Sequence, residues 1–164
     1  MTFLRTDTLT ATVLIIEPDP LMLTAIGSVL NSAGHHAVLA RTERIATESI
    51  QDGRFDSIVL SIEDLESGCD FARRLRSFPA TVDTPVVFMV PELSSSWVQP
   101  LAAVGGAFSI LKPVDPDNLV ELVEKALWLP HLADAHRSAS QQMPAPKSQT
   151  LGAPKAKKGN WITL

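Results

Sequence analysis

The stretch Phe55-Asp56-Ser57-Ile58-Val59-Leu60-Ser61 restricts what this chain can become more than any other. An apolar, β-branched run without polar alternation suits a strand buried on both faces. Such strands belong to parallel sheets, whose crossover helices cover both sides. The residue that ends one projects into the crevice where open α/β sheets place their chemistry. Here that residue is Ser61, a small neutral hydroxyl, and the acidic turn Ile62-Glu63-Asp64-Leu65-Glu66 follows it.

The same pattern recurs along the chain. Thr12–Ile16 is a purely apolar first strand, and Asp19-Pro20 supplies an N-cap and a proline at the first helical position. Met22, Ile26, Val29, Leu30 and Ala33 keep helical spacing until Gly34, and Ala37–Ala40 makes a second strand. Thr42 is placed to cap a short helix with Ile45, Ala46 and Ile50, closed by Gly53. After Ser61 a helix carries Phe71, Leu75 and Phe78 on one face and ends at Pro79. Thr84–Val90 is a fourth strand. Ser94–Ser96 precede a helix with Leu101 and Val104, and Pro100 is expected in its first turn or at a late start. Gly105-Gly106 leads into a fifth strand, Ala107–Leu111. Asp115-Pro116 opens a last helix with Leu119, Val123, Ala126 and Leu127 inward, which Pro130 closes or bends. Five strands alternating with five helices predict one α/β domain, a parallel sheet with right-handed crossovers.

Charge marks a boundary. Residues 1–129 carry 9 Lys/Arg against 17 Asp/Glu, whereas residues 130–164 carry 5 against 1. The division expected is a 1–11 N-terminal extension, a 12–129 domain, and a 130–164 Pro/Ala/Lys-rich tail that is disordered from about Ser138. Cys69 is the single cysteine, which excludes a disulfide framework and a Cys-based zinc site. With no basic-then-apolar leader pattern and no apolar run of membrane-spanning length, the expected location is cytoplasmic.

Three landmarks in register then make residues 12–129 resemble a response regulator receiver domain of the chemotaxis-regulator type. They are Val13-Leu14-Ile15-Ile16-Glu17-Pro18-Asp19-Pro20, Phe55–Ser61, and Thr84-Pro85-Val86-Val87 with Leu111-Lys112-Pro113 downstream. The resemblance implies a flavodoxin-like (βα)5 fold, three layers with a sheet of order 2-1-3-4-5. It also implies a site at the carboxyl ends of strands one, three and five, where magnesium and a phosphorylated aspartate meet. The family's two adjacent acids fall on Glu17 and Pro18, the acceptor aspartate on Ser61, the fourth-strand hydroxyl on Val90 and the switch aromatic on Ser109. Only Lys112-Pro113 matches in full, and the family's cis peptide is a further implication there.

The chemistry of these substitutions is direct. Magnesium needs oxygen ligands with one or two carboxylates carrying most of the charge, and Glu17 alone is a poor start, with the Glu63 carbonyl and water as possible additions. Ser61 cannot form an acyl phosphate, and Val90 has no hydroxyl to follow a phosphoryl oxygen. The pocket of Glu17, Pro18, Asp19, Ser61, Glu63, Val90, Ser109, Lys112 and Pro113 therefore reads as a degenerate phosphorylation site. No cofactor is expected, and magnesium binding is expected to be weak or absent. Within it, Lys112 reads as a structural cation for Glu17, and Ser61 as a satisfied polar strand end. His35-His36 and the acids Glu63, Asp64 and Glu66 read as solvated.

The leading functional reading is a non-enzymatic, phosphorylation-independent signalling module of two-component type. The alternatives are an active phosphoreceiver with Ser61 or Asp64 as acceptor, and a Ser–Lys hydrolase, disfavoured because no Gly-x-Ser-x-Gly elbow is present. Two surfaces are candidates for protein partners, a histidine kinase among them. Trp97, Val98, Leu122, Trp128 and Leu129 lie on the fourth helix, fifth strand and fifth helix, a face suited to homodimerisation. The basic run at Lys155–Lys158 ahead of Trp161-Ile162-Thr163-Leu164 has the pattern of a docking segment, suited to strand addition or groove insertion. A membrane is not expected as partner, and nucleic acid is disfavoured because the domain is acidic.

Overall fold

In the computed structural model every strand of the sheet's centre is apolar on both sides, which is why it is sandwiched. Residues 10–140 and 160–164 are described, with only the backbone helix described for 129–140. The elements run β1 (Thr12–Ile16), α1 (Pro20–Ser32), β2 (His36–Ala40), α2 (Glu43–Asp52), β3 (Ser57–Ser61) and α3 (Leu65–Ser77). They continue with β4 (Val86–Val90), α4 (Ser95–Ala103), β5 (Gly106–Leu111), α5 (Pro116–Ser140) and β6 (Trp161–Thr163). Alternate strand residues feed two cores. Val13, Ile15, Val59, Val87 and Phe108 meet Leu23, Ile26, Leu30, Leu119 and Val123 of α1 and α5. Leu14, Ile16, Ile58, Leu60 and Phe88 meet Ala46, Ile50, Phe71, Leu75 and Leu101 of α2, α3 and α4. Each such side chain taken fully out of water contributes about 1.5–3 kcal/mol.

The sheet order is β2-β1-β3-β4-β5-β6, parallel through β5. The five-stranded 2-1-3-4-5 expectation is thus corrected by one strand. β6 pairs antiparallel with β5, opposing Phe108 to Thr163, Ser109 to Ile162 and Ile110 to Trp161. The expected disordered tail is corrected at its end for the same reason: β5 offers an unpaired edge, and Trp161-Ile162-Thr163 satisfies it. Residues 1–9 and 141–159 of the expected extension and tail lie outside the described residues.

Other expectations change locally. Pro100 sits mid-helix in α4, where the i−4 bond that its missing N–H forgoes would have gone to the carbonyl of solvent-exposed Ser96. Pro130 does not close α5, which continues to Ser140. Leu122 is core, 1% exposed, because α5 turns a wide apolar stripe inward with Leu119 and Val123. His35 is buried. Its Nδ1 accepts the Ala11 N–H at 3.3 Å and its Nε2 lies 3.1 Å from Glu124 Oε1, tying α5 to the start of the sheet.

The opposite end of the sheet from Ser61 is clamped by Arg76 of α3. Its half-buried guanidinium donates to the carbonyls of Thr81 (3.0 Å), Val82 (3.3 Å), Thr84 and Gly105 (2.7 Å). One fork thereby joins the α3–β4 and α4–β5 connections, and Gly105 at φ +84° lets the second approach it. Replacing Arg76 with Met is expected to cost roughly 2 kcal/mol, because the part-buried carbonyls of Thr81 and Thr84 lose a charged donor while those of Val82 and Gly105 can turn to water. Lysine, with a point charge in place of the fork, is expected to restore less than half of that loss. Urea denaturation of the three chains measures both differences.

Candidate functional site

Three strands end in one crevice, and backbone pairing holds the residues that follow them. The N–H of Glu17 donates to Ala40 O at 3.0 Å, that of Ile62 to Met89 O at 2.9 Å, and that of Lys112 to Val90 O at 2.8 Å. The side chains at 17, 61–63 and 112 are therefore placed by the sheet itself. Of these, Glu17, Glu63 and Lys112 border a cavity of about 180 Å³, with Asp19 completing its polar lining and Met22, Met89, Pro113 and Val114 as apolar wall; Ser61 and Ile62 do not line it. The Lys112–Pro113 peptide is cis.

Every charged group in the crevice has a local partner. Lys112 Nζ lies 2.5 Å from Glu63 Oε1 and donates to the Ile62 carbonyl at 3.2 Å. The expected Lys112–Glu17 pair is not formed. Glu17, 5% exposed, folds back so that Oε1 accepts the Asp19 N–H at 2.9 Å. Asp19 caps α1 through Oδ1, accepting from Leu21 N–H at 3.0 Å. Asp64 is also a cap rather than a merely solvated acid. It accepts from Ser67 N–H at 3.0 Å and from Ser67 Oγ at 2.8 Å, and these bonds hold its carboxyl below the usual range.

The two serines behave differently from a satisfied strand end. Ser61 Oγ and Ser109 Oγ are both buried and have no hydrogen-bond partner. In the ladders Ser61 is paired with Met89, and Ser109 with Phe88 on one side and Ile162 on the other. Val90 is fully buried at the end of β4. Pro18 is exposed in the turn between Glu17 and Asp19 and supplies no ligand. Among the described residues no three His, Cys, Asp or Glu are grouped to hold a metal ion. Glu17 is committed to a backbone N–H, Asp19 to a helix cap and Glu63 to an ammonium. Magnesium, which takes oxygens in octahedral array, would have to share these carboxylates with the contacts that one oxygen of each already makes.

The outer-face candidates separate. Leu122 is interior, as above. Trp97 packs half-buried against the α2–α4 side core, Val98 is half-buried beside it, and Trp128 is 54% exposed. Trp161 is turned inward, its ring 5.9 Å from that of Phe108 in an edge-to-face contact and under Lys125 Nζ at 4.6 Å.

A family model for the response regulator receiver domain matches residues 13–124. The chain belongs to that family. The receiver fold recurs in solved structures. Chemotaxis response regulator CheY4 of Vibrio cholerae superposes with a TM-score of 0.66 at 24% identity, over 71% of this chain and 98% of that one. A response regulator from Thermotoga maritima does so at 0.66 and 24%, over 73% and 98%. Transcriptional regulatory protein ZraR of Escherichia coli O157:H7 is 26% identical over 128 residues, 77% of this chain and 29% of ZraR. Phyllosphere-induced regulator PhyR of Methylorubrum extorquens is 26% identical over 132 residues, 77% of this chain and 48% of PhyR. The chain thus spans less than half the length of these two relatives. Receiver domains are signalling modules rather than enzymes, and they work by contact with proteins such as kinases.

Several residues of this receiver escape a reading of strand ends. The Ile62 carbonyl as acceptor for Lys112 carries no side-chain signal. Met22 and Met89 had a weak one, as bulky residues at the first turn of α1 and near the end of β4. Replacing Ser61 or Ser109 with alanine is expected to be neutral or to stabilise by up to about 1 kcal/mol, because each removes an unpaired buried hydroxyl. A shift of the denaturation midpoint in the opposite direction by more than about that amount would reveal a partner for the hydroxyl.

Proposed function

We propose that this receiver domain signals through protein–protein contact without itself carrying a phosphoryl group. The observation that supports it most is Ser61 at the end of β3. A neutral, unpartnered hydroxyl stands where the resemblance puts the acceptor carboxylate, and the nearest cation, Lys112, is bound to Glu63. Pro18, Val90 and Ser109 add to this, since the second acid, the phosphate-following hydroxyl and the switch aromatic are absent with it. Glu17, Asp19, Ser61, Glu63, Lys112 and Pro113 then serve to hold the loops at this end of the sheet, with magnesium playing little part. The module is read as a cytoplasmic one, with a histidine kinase or another signalling protein as partner, and not nucleic acid. The names of ZraR and PhyR as regulators favour a place in regulation.

The competing acceptors are Ser61 and Asp64. Asp64 is exposed, but its Oδ2 is engaged twice by Ser67 at the start of α3, so an acyl phosphate formed through Oδ1 would turn a charged cap into a weaker neutral carbonyl acceptor. A Ser–Lys hydrolase requires the lysine to take the serine's proton, and Ser61 Oγ has no such partner. Incubation with acetyl phosphate and magnesium, followed by intact-mass measurement, separates these readings. The mass is expected to stay unchanged. A gain of about 80 Da, one phosphoryl group, located at Ser61 or Asp64 would overturn the proposal.

A further inference from the structure

The β5 edge is built to receive a strand of one particular pattern. The N–H of Leu111 donates to Asn160 O at 2.5 Å and that of Leu164 to Ala107 O at 3.0 Å, bracketing the β5–β6 ladder. Side chains of the incoming strand alternate between the two faces. Trp161 goes to the α5 side, between the edge of Phe108 and the Lys125 ammonium. Leu164 goes to the other side and joins the core beneath α4. Gly106 leaves room for that seat and for the core ring beside it: a Cβ there would meet Phe88 Cε2 first, then stand 2.5 Å from Leu164 Cδ1 and 2.9 Å from Leu101 O. An aromatic seat, a glycine-floored leucine seat and a backbone ladder between them define recognition of an extended Trp-x-x-Leu segment.

We propose that this groove also takes the same segment from a second copy of the chain, so that residues 160–164 act in cis as a plug and in trans as the dimer contact. Two observations favour a second copy over any other occupant, and the length of the intervening chain permits it. It is the one partner whose segment is known to fit both seats. It enters behind Lys155, Lys157 and Lys158, whereas residues 1–129 carry a clear excess of acid, so attraction between copies assists approach. The 19 residues between Ser140 and Asn160 have an extended reach of about 60 Å, roughly twice the width of a domain this size. The inference rests on the protein–protein reading above and gives it a surface and a ligand.

The test uses the full chain, the full chain carrying Trp161→Ala and Leu164→Ala, and a fluorophore-labelled peptide of residues 155–164. The doubly substituted chain has an open groove. It is expected to bind the peptide saturably, at least tenfold more tightly than the unsubstituted chain, whose own segment competes. A peptide with both alanines is expected not to bind. In sedimentation velocity the unsubstituted chain is expected to form a dimer as concentration rises, and the doubly substituted chain to remain monomeric. Adding Gly106→Val to the open chain should abolish peptide binding. If that variant fails to fold, Lys125→Glu should weaken it instead, by removing the cation over the indole. Equal peptide binding by both chains, binding by neither, or identical sedimentation at every concentration would overturn the proposal. Phosphoryl uptake would refute the reading of the crevice but leave these binding results untouched, so the two failures are distinguishable.

Discussion

The sheet is buried on both faces, and the rest of the molecule follows from that constraint. Strands such as Val13–Ile16 and Ile58–Leu60 have no solvent side, so their side chains are spent on two cores. Polar groups can meet water only at the strand ends and at the sheet's edges. One end carries the crevice of Glu17, Glu63 and Lys112, and the other is held by the Arg76 fork. Of the two lateral edges, the one at β5 is covered by β6. Chemistry and recognition therefore divide between the crevice and the β5 edge.

Within the crevice each charged group has a local partner, although three carboxylates face one ammonium. A working switch keeps its carboxylates available and its cation free to move to an incoming anion. Here Glu17 turns back on Asp19, Asp19 and Asp64 cap α1 and α3, and Lys112 bridges Glu63 to the Ile62 carbonyl. Each contact is a local stabilising choice, and together they support the proposed structural role of the crevice. The hydroxyls of Ser61 and Ser109 lie beside this network without joining it, since neither has a side-chain or backbone partner.

Much of this was legible in the residues. Unbroken β-branched runs separated by Asp-Pro and Gly signals gave all five parallel strands and all five helices, because burial on both faces leaves an unambiguous pattern. The order of the sheet and the membership of the crevice came from the resemblance rather than from periodicity. What could not be read was pairing between distant groups. Nothing local distinguishes Glu63 from Glu17 as the partner of Lys112, or shows His35 reaching Glu124 across 89 positions. Leu122 widens the inward stripe of Leu119, Val123, Ala126 and Leu127, and helical spacing alone does not fix how wide such a stripe is. The C-terminal strand was visible as a docking motif, but its acceptor could not be, since a free sheet edge exists only after the sheet has formed.

The central claim, that the crevice is silent and the β5 edge is the responsive surface, is tested most directly by amide chemical shifts of the isotopically labelled full chain. Magnesium together with beryllofluoride, a phosphoryl mimic, is added in excess. The amides of Glu17, Ser61, Glu63 and Lys112 are expected to stay in place, and those of Phe108, Ile110 and Trp161 with them. Saturable shifts at Ser61 and Lys112 that propagate to the β5–β6 ladder would contradict it, for they would show an anion-driven switch still at work.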